Sequence, residues 1–498
     1  MSVREQWETR WGFILAAVGS AIGLGNIWRF PYMVYENGGG AFLIPYFFAL
    51  LTAGIPIIIL EFGLGHKYKG SAPKAFFNAV KKWEWLGWWQ VLVAFVISIY
   101  YVVVIAWALN YTLIAVNQGW GKNTGEFFIK EFLQSSPGPL ELGGIVWPIF
   151  ISTLVVWLII WYVNFSGIKK GIEWANKIFM PILFLLLLIM LGRAVTLPGA
   201  SQGVDWLFKP DFSAIWDYKV WAAAYGQIFF TLSICFAIMI TFSSYLPQKS
   251  DINNNALMAS FINCGFSLLA GIMVFAVLGY MAVQQNIPLN EVAQEGVGLA
   301  FITIPKAINL LPAAGIFGFL FFLSLVFAGL SSMVSICEAC CSALIDKYDW
   351  DRRLTVSAFC TVGFLGSLVF MTNGGQYILD ITDHFINNFG IVFAGLGEVV
   401  FLAWFFRLES IREHVNLNSD FAVGKWWNFC LSVITPLVLG YMAIGNLVGD
   451  IMTQYNDYPL NALWLGWAIV VAVFLLSFPL QKSQGKFVLE ERGAGRKA

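Results

Sequence analysis

The amino-acid sequence predicts an all-α polytopic membrane protein with twelve transmembrane helices, the first and sixth of them discontinuous. Three observations carry that prediction. Of the 498 residues, 59% are hydrophobic and only 12% charged, about half the ~25% charge of a water-soluble domain. Apolar runs of about 20 residues recur along the whole chain, each long enough to cross ~30 Å of hydrocarbon. Two of these runs are interrupted, by glycines in one and by mid-span polar residues in the other. The long unbroken runs exclude a β-barrel, whose strands would show short segments of alternating polarity. Formal net charge is zero, and nothing in the charge pattern points to a nucleic-acid partner.

In order, the expected spans are residues 11–36, 41–67, 88–117, 145–164, 175–195, 219–246, 255–284, 315–346, 354–371, 376–407, 426–449 and 461–480. The leading "MSVREQWETRW" carries acids and tryptophans and no small-residue cleavage site, so the first span reads as retained. Orientation follows from lysine and arginine. With a cytoplasmic N-terminus, 22 of the 29 basic residues fall on the inner side, and both termini are cytoplasmic. Two outer segments are long. Residues 118–144 form one. Residues 286–314 form the other, amphipathic and proline-bounded, and read as a pair of short helices capping the outer face.

Span one contains "GSAIGLGNIWRFPY" (Gly19 to Tyr32), where the run Gly23-Leu24-Gly25-Asn26 should break the helix. Hydrocarbon offers no water to the backbone groups freed by such a break. A half-helix N-terminus then presents N–H groups to an anion such as a carboxylate, and unwound carbonyls suit a cation. Glycine lets a ligand approach the backbone closely. Span six carries Gln227, Thr231 and Ser233 mid-span. It lies five spans after the first, and interrupted helices at matching places in two five-helix halves point to an inverted repeat with its site at mid-membrane.

Glu61 in span two and Glu398 in span ten are intramembrane acids, which by default face the interior and serve function. Here they are expected to accept hydrogen bonds from the freed N–H groups, as support for the broken backbone. In span eight, Ala328, Ser331 and Ser332 stand at i, i+3 and i+4, one helix face. Oxygen ligands of this kind suit a hard monovalent cation, and the same small residues suit tight helix packing. The seven cysteines all lie in or beside apolar runs and read as free packing residues rather than a disulfide framework. The three histidines, His66, His384 and His414, lie far apart in the sequence with no metal spacing, and no phosphate loop is present. The chain does not read as an enzyme.

"AIGLGNIWRFPYMVYENGGGAFLIPYF", with "GQIFFTLS" and "FAGLSS", closely resembles the neurotransmitter:sodium symporter family, from Trp7 to about span twelve. The short tails, and a short second outer loop without cysteines, resemble its prokaryotic members. The resemblance implies the LeuT fold: a 5+5 inverted repeat of spans 1–5 and 6–10. The chain then divides into a cytoplasmic N-tail (1–10), a transport core (11–407, with halves 11–195 and 219–407), two accessory helices (424–481) and a cytoplasmic C-tail (482–498).

The resemblance also assigns residues. A first sodium would use Ala21, Asn26, Thr231 and Asn263. A second would use Gly19, Ile22, Ala328, Ser331 and Ser332. The substrate carboxylate would meet the Leu24 and Gly25 amides and the Tyr101 hydroxyl. Its amine would face Ala21, Phe230, Thr231 and Ser233, and its side chain Ser20, Ile97, Tyr101, Phe230, Phe236, Ser332 and Ile336. Arg29 and Asp383 look like an outer gate. Arg4 with Asp346, and Trp7 with Tyr245, look like an inner one, with Glu338 beside Tyr245. Ser267 stands where bacterial relatives usually carry an acid; with Tyr46, Gln227 and Thr231 it implies a chloride site. The implied function is a sodium-coupled symporter in the plasma (inner) membrane, importing a neutral, hydrophobic L-α-amino acid by alternating access, with two Na+ and with chloride dependence. The alternatives are the same fold carrying glycine, proline or a betaine-like solute, and a non-transporting amino-acid sensor.

Overall fold

The computed structural model describes residues 4–288 and 297–485. It is helical throughout; in place of strands the described residues have two isolated bridges, Gly39 with Pro210 and Ile145 with Thr372. The spans are labelled here in chain order. Span one is α1 (Arg10–Ala21) and α2 (Gly25–Glu36), and spans two to five are α3 (Gly40–Tyr68), α4 (Lys81–Val116), α5 (Trp147–Phe165) and α6 (Ile168–Ala194). The sixth region is α7 (Tyr218–Thr231) and α8 (Ile238–Ser244). Then come α9 (Ile252–Gln285), α10 (Ala314–Tyr348), α11 (Arg352–Met371), α12 (Gly375–Phe405), α13 (Lys425–Asp457) and α14 (Leu460–Lys482). Among the described residues ten helices are long and apolar enough to cross a membrane, eleven with α1 and α2 taken as one bent span. Neither α7, with 14 residues, nor α8, with seven, is long enough to cross alone.

Burial sorts these helices. In α9 and α10, 78% of the most apolar window is buried inside the protein, against 33% in α13 and 28% in α14. A helix apolar all round must be covered by protein or lipid, so α9 and α10 form the interior and α13 and α14 the rim. That leaves the two breaks, in spans one and six, near the middle of the bundle.

Both breaks are real. After Ala21 the backbone turns extended at Ile22 (φ −75°, ψ 102°), and the axis bends by 57° before α2. The unwound residues are 22 and 23, slightly earlier than the sequence suggests, because Leu24 is already helical (φ −56°, ψ −34°) and Gly25 and Asn26 belong to the first turn of α2. The second break, residues 232–237, has Ser233 (φ 50°), Cys235 (φ 66°) and Ala237 (φ 64°) in the left-handed region. Each carries a Cβ there, a conformation that costs on the order of 1 kcal/mol or more and is held only where packing over-determines it.

The region 286–314, expected as a pair of short helices, shows one at Leu299–Ile308; residues 289–296 of that expectation lie outside the described residues, as do the N-tail before Arg4 and the C-tail after Gly485. All seven cysteines are free and buried.

Candidate functional site

The two breaks face one small cavity of about 60 Å³. Every residue expected to hold the substrate lines it: Ser20, Ala21, Leu24, Gly25 and Ile97, then Tyr101, Phe230, Thr231 and Ser233, then Phe236, Ser332 and Ile336. The unwound stretch of span one supplies its floor. The Leu24 N–H donates to the Tyr101 hydroxyl at 3.3 Å. A Cβ on Gly23 would meet that hydroxyl at 3.0 Å and Ser332 Oγ at 3.1 Å, and one on Gly25 would overlap the Phe230 ring. Close approach thus demands glycine at position 25, while a side chain at position 23 would make Tyr101 and Ser332 give way slightly. From span six, Ser233 Oγ donates to the Ser20 carbonyl at 2.9 Å.

Asn26 sits at the centre of a polar cluster. Its Nδ2 lies 2.9 Å from Thr231 Oγ1, 2.8 Å from Asn263 Oδ1 and 2.8 Å from Ser267 Oγ, while its Oδ1 accepts the freed Gly23 N–H at 2.9 Å. The Asn263 side-chain amide also reaches the Ala21 carbonyl at 3.3 Å and the Thr231 carbonyl at 3.2 Å. A second oxygen cluster surrounds Ser332, whose Oγ lies 3.4 Å from Gly19 O, 3.2 Å from Ser20 O, 3.4 Å from Ile22 O and 3.2 Å from Ala328 O. Ser331 Oγ is 3.0 Å from the same Ala328 carbonyl. One hydroxyl proton cannot satisfy four acceptors. The donor set, carbonyl and hydroxyl oxygen alone, fits a hard cation.

Tyr46, Gln227, Thr231 and Ser267 are all buried, and Thr231 and Ser267 contact Asn26. The Tyr46 hydroxyl donates to Cys264 Sγ at 3.3 Å. Both side-chain atoms of Gln227 are buried and unpartnered, so an amide with two N–H donors is available to an acceptor ligand.

The carboxylates flank the second break. Glu61 Oε1 accepts the Cys235 N–H at 2.6 Å, while Glu398 Oε2 accepts from Gln90 Nε2 at 2.5 Å. Glu61 therefore touches the broken backbone directly. Glu398 holds a side chain of α4.

The two ends of the cavity differ. Beyond Phe230 and Tyr101 opens a vestibule of about 540 Å³, whose lining includes Arg29, Tyr100, Asp383 and Asn387. The Arg29 guanidinium lies 4.5 Å from the centre of the Phe230 ring. Asp383 Oδ1 accepts from Tyr100 Oη and from Asn387 Nδ2, each at 2.7 Å. Towards the chain termini the path is closed. Arg4 Nη1 meets Asp346 Oδ1 at 2.5 Å, and the Arg4 guanidinium lies 4.6 Å from the Tyr245 ring. Trp7 Nε1 donates to the Phe242 carbonyl at 2.8 Å, and its backbone N–H to that of Tyr245 at 3.1 Å. Tyr245 Oη donates to Glu338 Oε1 at 2.6 Å, and Arg352 Nη2 meets Glu338 Oε2 at 2.5 Å.

Sequence reasoning missed Tyr100 and Asn387 in the cavity wall. Helical spacing offered Asn387, which is i+4 from Asp383, whereas Tyr100 is brought to Asp383 only by the fold. It also took the histidines as scattered. His66 and His414, 348 residues apart, meet with Nδ1 and Nε2 at 2.9 Å, because the helix Leu408–Asn416 folds back onto the end of α3. Burial, and then Lys67 and Lys69, push His414 down to about 4, which makes that contact a neutral hydrogen bond at ordinary pH.

A polytopic bundle with two broken helices around an oxygen-lined cavity defines a membrane transporter that coordinates a cation with its solute. The model of the sodium:neurotransmitter symporter family matches residues 4–124 and 120–482. The chain belongs to that family and is a sodium-dependent transporter. It is 47% identical over 480 residues to an uncharacterized sodium-dependent transporter of Methanocaldococcus jannaschii, covering 96% of this chain and 98% of that one. It is 29% identical to the sodium- and chloride-dependent taurine transporter of Bos taurus, over 98% of this chain and 86% of that one. It is 30% identical to the sodium- and chloride-dependent GABA transporter 2 of Homo sapiens, over 94% and 85%.

Proposed function

We propose that the protein is a sodium-coupled, chloride-dependent symporter that imports a neutral, hydrophobic L-α-amino acid by alternating access. The observation that carries this reading is the meeting of two helix breaks at one cavity. Freed N–H groups at Leu24 and Gly25 and the Tyr101 hydroxyl receive the carboxylate. The carbonyls of Ala21, Phe230 and Thr231, with Ser233, receive the amine. Ile97, Phe236 and Ile336 surround the side chain.

One sodium is held by Ala21, Asn26, Thr231 and Asn263, and the substrate carboxylate completes its shell. Binding of each then favours the other, and the coupling is reciprocal. The second sodium is held by Gly19, Ile22, Ala328, Ser331 and Ser332. Each net charge carried inward gains about 2.3 kcal/mol per 100 mV, so ion entry drives accumulation of solute. Tyr46, Gln227, Thr231 and Ser267 hold chloride; the unpartnered Gln227 amide supports this. The vestibule side is external, gated by Arg29 and Asp383, and the Arg4–Asp346 and Trp7–Tyr245 seal is cytoplasmic. Both termini lie inside, spans one and six each cross once through their breaks for twelve spans in all, and the halves 11–195 and 219–407 form the moving core beside the accessory helices 424–481. Glu61 braces the second break through the Cys235 N–H.

The names of the taurine and GABA relatives favour a second reading, in which the solute is a small zwitterion whose amine stands farther from its acid group. One experiment separates the readings. Uptake of labelled neutral α-amino acids, GABA and taurine is measured in proteoliposomes under an imposed sodium gradient. Leucine-like substrates should accumulate only with sodium, and less when gluconate replaces chloride. Uptake of taurine or GABA alone would favour the second reading, and sodium-independent uptake would sink both.

A further inference from the structure

One group of side chains behind the second break carries a chemistry that goes beyond the transport reading. Glu61 on α3, Cys235 in the link between α7 and α8, and Glu398 on α12 place one carboxylate oxygen each and Sγ within 4.8 Å of one another. All three residues are fully buried. Each carboxylate has one oxygen anchored, Glu61 Oε1 by the Cys235 N–H and Glu398 Oε2 by Gln90 Nε2. The other oxygens, Glu61 Oε2 and Glu398 Oε1, are buried with no hydrogen-bond partner. Two acids facing each other in low dielectric repel unless something positive stands between them, and no cationic side chain pairs with either among the described residues.

We infer that Glu61, Cys235 and Glu398 form a binding site for one divalent transition-metal cation of the zinc class. Two carboxylates neutralise the charge of such an ion, and the sulfur selects a borderline or soft metal over sodium, magnesium or calcium. Ligands 2.0–2.3 Å from a tetrahedral zinc stand roughly 3.3–3.8 Å apart, so donors that lie within 4.8 Å of one another share an ion after a closure of about 1 Å. The metal takes the place of the Cys235 thiol proton, which leaves to solvent as the sulfur–metal bond forms. The outer support is already built: Gln90 and the Cys235 backbone orient the carboxylates in the way that second-shell groups orient ligands. Occupancy would tie the link of span six to spans two and ten. The alternating access proposed above moves that link relative to its neighbours, so on that reading the bound metal inhibits.

The test uses Cd2+ as the probe, on the full-length protein in detergent and in proteoliposomes. Titration with Cd2+ should produce the ultraviolet charge-transfer absorbance of a thiolate–metal bond at one equivalent. That equivalent should disappear in Cys235→Ala, and its affinity should fall at least about ten-fold in Gln90→Leu. Sodium-driven uptake by the parent should be inhibited by Cd2+ over the same concentration range, and restored by a chelator. Glu398→Gln keeps the thiol and removes one anionic ligand, so it should also abolish high-affinity binding if Cys235→Ala fails to fold. A Cys235→Ala protein that titrates like the parent would place the metal on the other six cysteines and overturn the inference. Absence of any thiolate–Cd2+ absorbance in the parent would overturn it too, leaving a shared proton as the positive charge between the acids. Because binding is read from absorbance in detergent, its failure leaves sodium-coupled uptake intact, and a failed uptake assay leaves the binding result standing.

Discussion

Asn26 is one amide with four polar neighbours. Its Oδ1 satisfies the Gly23 N–H that the helix break leaves over, and its Nδ2 reaches Thr231, Asn263 and Ser267 on two other elements. In Asn26→Ala the Gly23 donor stays buried without an acceptor, at about 1–3 kcal/mol, and an oxygen is lost from the cluster that includes Asn263. The sodium concentration for half-maximal uptake should therefore rise at least about ten-fold, the equivalent of roughly 1.4 kcal/mol. An unchanged sodium dependence would remove Asn26 from the ion site. Asn26 was legible in the sequence because an amide inside an apolar run needs a reason to be there. Ser332 and Glu61 were legible on the same ground. Tyr100 and the His66–His414 contact were not, since each is defined by a partner that only the folded chain brings near.

At the scale of helices, the sequence showed where spans one and six break but not what holds the first half-helix in place. The structure shows a carboxylate doing so. Glu173, at the start of α6, accepts the Glu8 N–H at 2.8 Å, the Thr9 N–H at 3.2 Å and the Thr9 hydroxyl at 2.8 Å, and Lys177 Nζ pairs with it at 2.9 Å. Thr9 Oγ1 caps α1 by accepting the Gly12 N–H at 2.9 Å, and Glu173 extends that cap to the N–H groups just before the helix, where an anion also meets the helix dipole favourably. The approach depends on Gly12, where a Cβ would overlap Glu173 Oε1. A glycine in the first turn of a helix reads from sequence as a mere weakness. Here its missing side chain admits the cap. Gly12→Ala should push the carboxylate off its donors and lower thermal stability by about 1–2 kcal/mol, the range for a lost N-cap, although alanine is the better helix former by ~1 kcal/mol. Unfolding of the purified protein by heat or denaturant checks the sign: stabilisation would mean that Glu173 is not the cap.

On the scale of the whole molecule, the fold is a closed surface on one side and an open one on the other. The matching breaks made the repeat architecture readable, because hydrocarbon punishes unpaired backbone everywhere except beside a ligand. Which side is open was not readable, since one sequence must encode both states of a transport cycle with only a few kcal/mol between them. In this structure the vestibule of about 540 Å³ reaches Phe230 and Tyr101, while Arg4 joins Asp346 at 2.5 Å and Ser342 Oγ at 3.1 Å on the side of the termini. Side-chain exposure is 22% for Arg4 and 10% for Asp346, so this pair is partly shielded and stands for more than a surface ion pair at ~0–1 kcal/mol. Its contacts exist only while the termini side is shut. Arg4→Ala should therefore favour the opposite state, and a shift of about 1–2 kcal/mol changes the ratio of the two by roughly 5- to 30-fold. The equilibrium affinity for solute offered from the vestibule side should fall with the fraction of molecules open on that side, because only those are competent to bind. Spin labels placed across the vestibule should report the same shift as a shorter distance between them. If the labels and the affinity are both unmoved, Arg4 and Asp346 are a surface contact, and the seal rests on Trp7, Tyr245 and Glu338.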